Sequence, residues 1–335
     1  MTPLIILLTY MSLGIGAFFL ATVFLLGVVY FFAPSLLARY LFDLAGLFYQ
    51  KQYYKTALFT LELVFQLKPN YPSLFFSIGT IQLELGYLER AKDYLYMALL
   101  QNIEDPLCLY HLGVLEYQSE RYTLAIDHWI NAIQYQENPE ADTYYYLGLA
   151  YDALNESQAA YEIFQQGLEL DPQHQDLLTS IAYTCLDLGD FEECQTYLNT
   201  LLACGELSAE GHYIKALLCV ELGKMDDAMF AIEASLKVDP HNVEALNAAG
   251  VLALMNKEAD KALAVSRLEE ASKSYTKGQE AVLYNHAIAL GISDNAVRAR
   301  RILRSFSKLD VQGPLRRTAT QARLILQKQN VLNTM

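Results

Sequence analysis

Positive charge is scarce in this sequence, and so are the residue constellations that carry chemistry. No charged side chain precedes Arg39, and 24 Lys and Arg face 38 Asp and Glu, for a net charge of −14. That balance favours solubility and disfavours general attraction to nucleic acid, which is held chiefly through phosphate contacts from basic side chains. The five cysteines, Cys108, Cys185, Cys194, Cys204 and Cys219, form no CxxC pair and sit among apolar neighbours. Neither a disulfide framework nor a zinc ribbon is expected from such spacing, and a reducing compartment suits it. Cys185 and Cys194 fall on the two helices of one predicted hairpin, either as a pair able to approach or as small core residues. None of the six histidines lies within four residues of another, so the paired ligands of a helix-borne metal site are missing. No phosphate loop, GxSxG, HExxH or strand-to-helix GxGxxG occurs, and strand patterns are few. The expectation is a protein that is not an enzyme, with no cofactor and no metal.

Apolar residues, by contrast, make up 53% of the chain, and the run from Pro3 to Ala33 is almost wholly apolar. A bilayer core takes about 20 helical residues to cross, so this run spans once and is too short for two crossings and a turn. It also exceeds the apolar core of about 7–15 residues in a cleaved signal peptide, and Met1-Thr2-Pro3 brings no basic residue before it. Residues 1–34 are therefore read as a retained transmembrane helix. Arg39, Lys51 and Lys55 follow the run, and the positive-inside tendency places the part beyond it in the cytoplasm. Ser12 with Gly16 and Ala17 with Ala21 are small residues four apart, a candidate surface for pairing two anchors into a homo-oligomer.

Beyond Pro34 the sequence repeats. Small residues recur at Ala45, Gly79, Gly113, Gly148, Ala182, Ala216, Gly250 and Ala287, at spacings of 34, 34, 35, 34, 34, 34 and 37. Twelve residues after each comes another small one: Ala57, Ala91, Ala125, Ala160, Cys194, Ala228, Ala262 and Ala299. Helices cross closely only where neither side chain is large, so this pairing predicts an antiparallel helical hairpin of fixed geometry. Four residues further on stand Leu61, Leu95, Trp129, Phe164, Leu198, Ile232 and Leu303, with Ser266 the exception, to fill the space between hairpins. Prolines at Pro69, Pro172 and Pro240 mark the turns from one hairpin to the next.

These residues resemble the tetratricopeptide repeat, a helix-turn-helix unit of 34 residues. Residues 141–174 carry the pattern fully, with Tyr144, Leu147, Gly148, Tyr151, Ala160, Phe164, Gly167 and Pro172 at its marked places. The resemblance implies an all-α superhelical solenoid of eight helical hairpins over 38–313, preceded by the anchor at 1–34. Residues 314–335 are expected to supply a capping helix and tail, as the end of a solenoid requires. The seventh unit departs from the pattern through a three-residue insertion, which blurs its boundaries near 255–279.

The resemblance further implies that the first helix of each hairpin lines a concave groove. Repeat position 5 carries an aromatic ladder of Phe42, Phe76, Tyr110, Tyr145, Tyr213 and Tyr284, of which Tyr110, Tyr145, Tyr213 and Tyr284 are the candidate contacts. Position 2 supplies an acidic rim of Asp142, Asp176, Glu210 and Glu244. At position 9, where the family usually places a polar residue, stand Val114, Leu149, Tyr183, Leu217, Val251 and Ile288. Such a strip is either the floor of a groove for amphipathic or basic peptide segments or simply core. The groove lacks the Lys, Arg and Asn of the repeats that clamp carboxylates. From Ala296 onward nine basic residues, Arg298, Arg301, Arg304, Arg316 and Arg317 among them, meet Asp310 alone, giving +8 against −22 for what precedes. This basic patch is a candidate contact for an acidic groove, an anionic partner or lipid headgroups, with nucleic acid not expected. The sequence therefore points to a membrane-held scaffold that binds other proteins or peptides, with bacterial envelope biogenesis, secretion or quality control as its setting. The alternatives are a chaperone-like holder of unfolded or exported segments and a noncatalytic subunit of an enzyme complex.

Overall fold

The computed structural model describes residues 34–71, 73–255, 261–274 and 281–292. The anchor expected over 1–34 lies outside these residues apart from Pro34, which opens the first helix. Among the described residues no helix is long and apolar enough to cross a membrane. Those residues form fifteen α-helices and no strand.

The chain divides into two compact units, Met1–Asn155 and Glu156–Met335. The first contains α1 (Pro34–Gln50), α2 (Tyr54–Leu67), α3 (Leu74–Glu84), α4 (Leu88–Gln101), α5 (Pro106–Gln118), α6 (Tyr122–Tyr135) and α7 (Ala141–Ala153). The second contains α8 (Ser157–Leu170), α9 (Gln175–Leu188), α10 (Phe191–Cys204), α11 (Ala209–Glu221), α12 (Met225–Val238), α13 (Val243–Met255), α14 (Lys261–Ser274) and α15 (Ala281–Ile292). Within each unit the helices pair in sequence, α1 with α2, α3 with α4 and α5 with α6, then α9 with α10, α11 with α12 and α13 with α14, and each hairpin packs on the next.

First and second helices solve burial differently. α4 buries one stripe, Ala91, Leu95 and Ala98, as an outer helix does, while α3 buries Leu74 and most residues from Ile78 to Leu83. The small-and-large code is spatially literal. A Cβ on Gly79 would lie 2.8 Å from Leu95, one on Gly113 2.5 Å from the Trp129 ring, and one on Gly250 2.4 Å from Leu268. Glycine is needed there because the bulky residue of the second helix seats directly on the first helix's backbone.

Leu268 corrects the reading of the seventh hairpin. Ala262 is exposed, and the buried stripe of α14 is Ala264, Leu268 and Ala271. Two of the three inserted residues therefore precede α14, and Leu268 takes the place that Ser266 cannot fill. α15 is the first helix of the eighth repeat, while its second helix and the capping helix expected over 314–335 lie outside the described residues.

Among the described residues, the turns inside the first six hairpins each use one left-handed residue at the same repeat position: Gln52, Gly86, Glu120, Asn155, Gly189 and Gly223, with φ between 59° and 86°. In the third repeat Glu120 N donates to Tyr117 O and Arg121 N to Glu116 O, at 2.9 and 2.8 Å. In the fifth, Gly189 N and Asp190 N do the same to Leu186 O and Cys185 O. This is the Schellman closure of a helix C-terminus, which satisfies two carbonyls otherwise left bare. Between hairpins, Asp105 and Ser208 accept from backbone amides of α5 and α11, and Asn242 from Ala245, capping the next first helix.

Candidate functional site

The face made by the first helices is where sequence places the binding residues, and the two units differ there. In the first unit Tyr110, Val114, Tyr145 and Leu149 are all half-buried on α5 and α7. Trp129 Nε1 donates to the Tyr110 carbonyl at 3.1 Å, and the Trp129 ring stacks on Tyr146 with centroids 5.9 Å apart. Tyr146 in turn meets Tyr110 and Tyr145 edge-on. Burial, with Tyr146 and Asp142 nearby, pushes the Tyr110 phenol upward, so it stays protonated. Val114 leans on the core formed by Leu112, Leu115 and their neighbours.

In the second unit Asp176, Glu210 and Glu244 start α9, α11 and α13, each within the first turn of its helix. The Glu210 carboxyl is raised, first by loss of surrounding water and then by the charges of Glu244 and Asp176. Glu210 thus stands in the negative field of Glu244 and Asp176, which a cation placed beside it would relieve. Tyr183 and Leu217 are half-buried, Leu217 against the unit's core. Three candidates are not on an open face: Tyr213, Val251 and Ile288 are 5%, 1% and 4% exposed. The reason is the run of small residues in α13, where Ala245, Ala248 and Ala249 let neighbouring helices close over it. The described side chains do not include that of Tyr284, and Arg298, Arg301, Arg304, Arg316 and Arg317 lie outside the described residues.

A cavity of about 270 Å³ opens on the first-helix face of the first unit, where sequence had placed Phe42 and Phe76 at position 5 but had not foreseen a hollow. Its walls are Phe42 and Tyr49 on α1, Phe76 on α3 and His111 on α5, with Gly46 and Thr80 between them. Phe76 meets His111 at 5.4 Å, edge-on. Thr80 Oγ1 donates to Ser77 O at 3.0 Å, so its hydroxyl is spent on the backbone. Burial lowers His111 to about 4, leaving it neutral near pH 7, with Asp105 opposing weakly. Tyr49 is raised by burial and by Glu84, which hydrogen-bonds its side chain. Gly46 and Thr80 occupy position 9 of the first two repeats. The signal was therefore in the sequence, as the two places where the apolar strip gives way to small residues.

Among the described residues no group of three or more His, Cys, Asp or Glu could hold a metal ion. Burial pushes the thiols of Cys108, Cys185 and Cys194 up to about 12, which keeps them protonated, and the Cys185 thiol also senses Cys194 nearby. What the geometry offers is shape, apolar surface and negative charge.

Comparison with known proteins agrees with the repeat. Residues 110–174, 153–218 and 209–242 each match a tetratricopeptide repeat family model. Over 121 residues, 34% of this chain, the sequence is 34% identical to anaphase-promoting complex subunit cut9 of Schizosaccharomyces pombe, of which the match spans only 18%. Among solved structures, a tetratricopeptide repeat protein from Parabacteroides merdae aligns with a TM-score of 0.63 at 21% identity, covering 76% of this chain and 98% of that one. The type IV pilus biogenesis factor PilW aligns at 0.56 with 16% identity, over 62% of this chain and 96% of its own, and pilF of Pseudomonas aeruginosa at 0.55 with 15%, over 63% and 96%. At such identities these structures show the fold alone. No enzyme family is indicated.

Proposed function

Because this chain is built from tetratricopeptide repeats, we propose that it is a noncatalytic scaffold, held at a membrane by residues 1–34, that gathers other proteins through segments combining apolar anchors with basic residues. The observation that carries the reading is the second unit's first-helix face. There Glu210 feels the charges of Glu244 and Asp176, and the helices that Asp176 and Glu210 open carry the half-buried Tyr183 and Leu217 further along. Acidic and apolar residues on one face select a segment with both basic and apolar features, since charge guides the encounter and apolar burial holds the complex. The length and apolarity of Pro3–Ala33 support the anchor. The match to cut9 supports a second reading, a structural subunit inside a larger assembly.

Crosslinking the full chain in membranes, followed by identification of what stays attached, tests the scaffold. Capture should fall when Asp176→Asn, Glu210→Gln and Glu244→Gln are combined, and should fall with rising salt in the unaltered chain. Capture indifferent to both would reject the acidic face. The anchor predicts retention in the membrane after alkaline carbonate washing, and release when residues 1–33 are removed. Orientation is read at Cys204, which is partly exposed while the other four cysteines are buried. With the repeats in the cytoplasm, an impermeant thiol reagent labels it only after permeabilisation.

A further inference from the structure

We infer that the cavity of the first unit is a socket for one large uncharged side chain of a bound polypeptide, aromatic by preference, with a basic residue beside it in the partner's sequence. This rests on the scaffold reading and specifies what the first unit contributes to it.

Size comes first. Pockets for drug-sized ligands run from about 300 to 1,000 Å³, and this one, at about 270 Å³, lies at the small end, a size that a single bulky side chain fills. The walls come second. Phe42, Tyr49, Phe76 and His111 present rings, and ring pairs gain from edge-to-face contact beyond the area they bury. Phe42 is steadied from behind by Tyr71, 4.9 Å away, and Phe76 by His111, so the walls need little reordering when filled.

Charge then decides what enters. No side chain lining the cavity carries formal charge near neutral pH, because His111 is held neutral and the Thr80 hydroxyl is already bonded. An ammonium or guanidinium drawn inside would lose water without gaining a counter-ion. Two carboxylates act on the cavity's walls from outside the lining, the exposed Glu84 on Tyr49 and Asp105 on His111. A basic residue thus fits beside the socket, near Glu84 or Asp105, and an uncharged one within it.

Gly46 makes the inference testable, since a Cβ built there meets nothing within 4 Å. Gly46→Leu therefore starts its side chain in open space beside the cavity, and removes a glycine from a helix interior. The full chain in lipid nanodiscs would be titrated with four labelled peptides, identical and lysine-flanked but for a central Trp, Leu, trimethyllysine or Ala. We expect the Trp peptide to bind about tenfold tighter than the Ala peptide. That preference should vanish in Gly46→Leu, which melts no lower than the parent. Thr80→Leu, which fills the same space from α3, should abolish it too and guards against one poorly folding variant. Trimethyllysine binding tightest would make this a cation cage and overturn the inference, as would a Trp preference surviving in both filled variants. Equal binding of all four peptides, abolished by the acid-to-amide substitutions in the second unit, would retire the socket alone. Absence of any binding would remove the scaffold reading with it.

Discussion

The two units share one backbone repeat yet present different chemistry on the same helix face. In the first, rings gather along it and the position between them is small, so the face is hollow at Gly46 and Thr80. In the second, Tyr183 and Leu217 stay half-buried at the corresponding position, Val251 and Ile288 are closed over beside a run of alanines, and acidic residues stand at the helix starts. The repeat thus fixes where side chains stand, while the residue at one position decides whether that place is socket or core.

The sharpest way to break the first unit lies at Glu116. It is fully buried, is ion-paired with Lys92 Nζ at 3.3 Å and hydrogen-bonded by Arg121 Nε. No buried carboxylate of the second unit has such a pair among the described residues. Lys92→Met combined with Arg121→Met, which strands the buried Glu116 carboxylate, should lower stability by about 3–5 kcal/mol, seen as an earlier urea midpoint confined to probes in the first unit.

Acidification should separate the units next. In the folded chain His111 is held down near 4, against an ordinary 6.5. Between those values the unfolded chain binds a proton that the folded one refuses, so stability is complete above pH 6.5 and declines as pH falls toward 4. The loss approaches ~3 kcal/mol at the lower end. His111→Gln should flatten that limb of a stability-pH profile. An unchanged slope would locate the acid sensitivity elsewhere.

Smaller effects probe the interlock and the turns. Gly113→Ala, which drives a methyl into the Trp129 ring, should cost about 1–3 kcal/mol by overpacking. Gly250→Ala should do the same against Leu268 in the second unit, and urea titration of each checks this. Glu120→Gly relieves a left-handed residue that is not glycine and should raise stability by up to about 1 kcal/mol, whereas Gly223→Ala should lower it by a similar amount.

Much of this was legible beforehand, for a physical reason. Close crossings demand small residues, and bulky ones must seat against them, so Ala57, Ala91, Ala125, Ala160, Cys194 and Ala228 mark themselves and all are buried. The register of α14 was misread because Ala262 is small but exposed, and only packing against Gly250 reveals Leu268 as the seated residue. The turn position was obscured because Gln52 and Glu120 adopt a conformation normally left to glycine. The cavity was missed for a further reason: a hole is a property of several side chains at once, and Gly46 and Thr80 looked like gaps in a strip. Tyr213, Val251 and Ile288 show the converse, since apolar residues at the binding position say nothing of whether neighbours close over them.

The most direct measurement compares three capture profiles from the same membranes: the unaltered chain, Gly46→Leu, and the triple acid-to-amide variant of Asp176, Glu210 and Glu244. Two chemically distinct surfaces on one scaffold predict that each variant, folded and at normal abundance, loses crosslinked partners, with the filled variant losing those anchored by an aromatic residue and the neutralised one those held by charge. Three indistinguishable profiles would contradict the account.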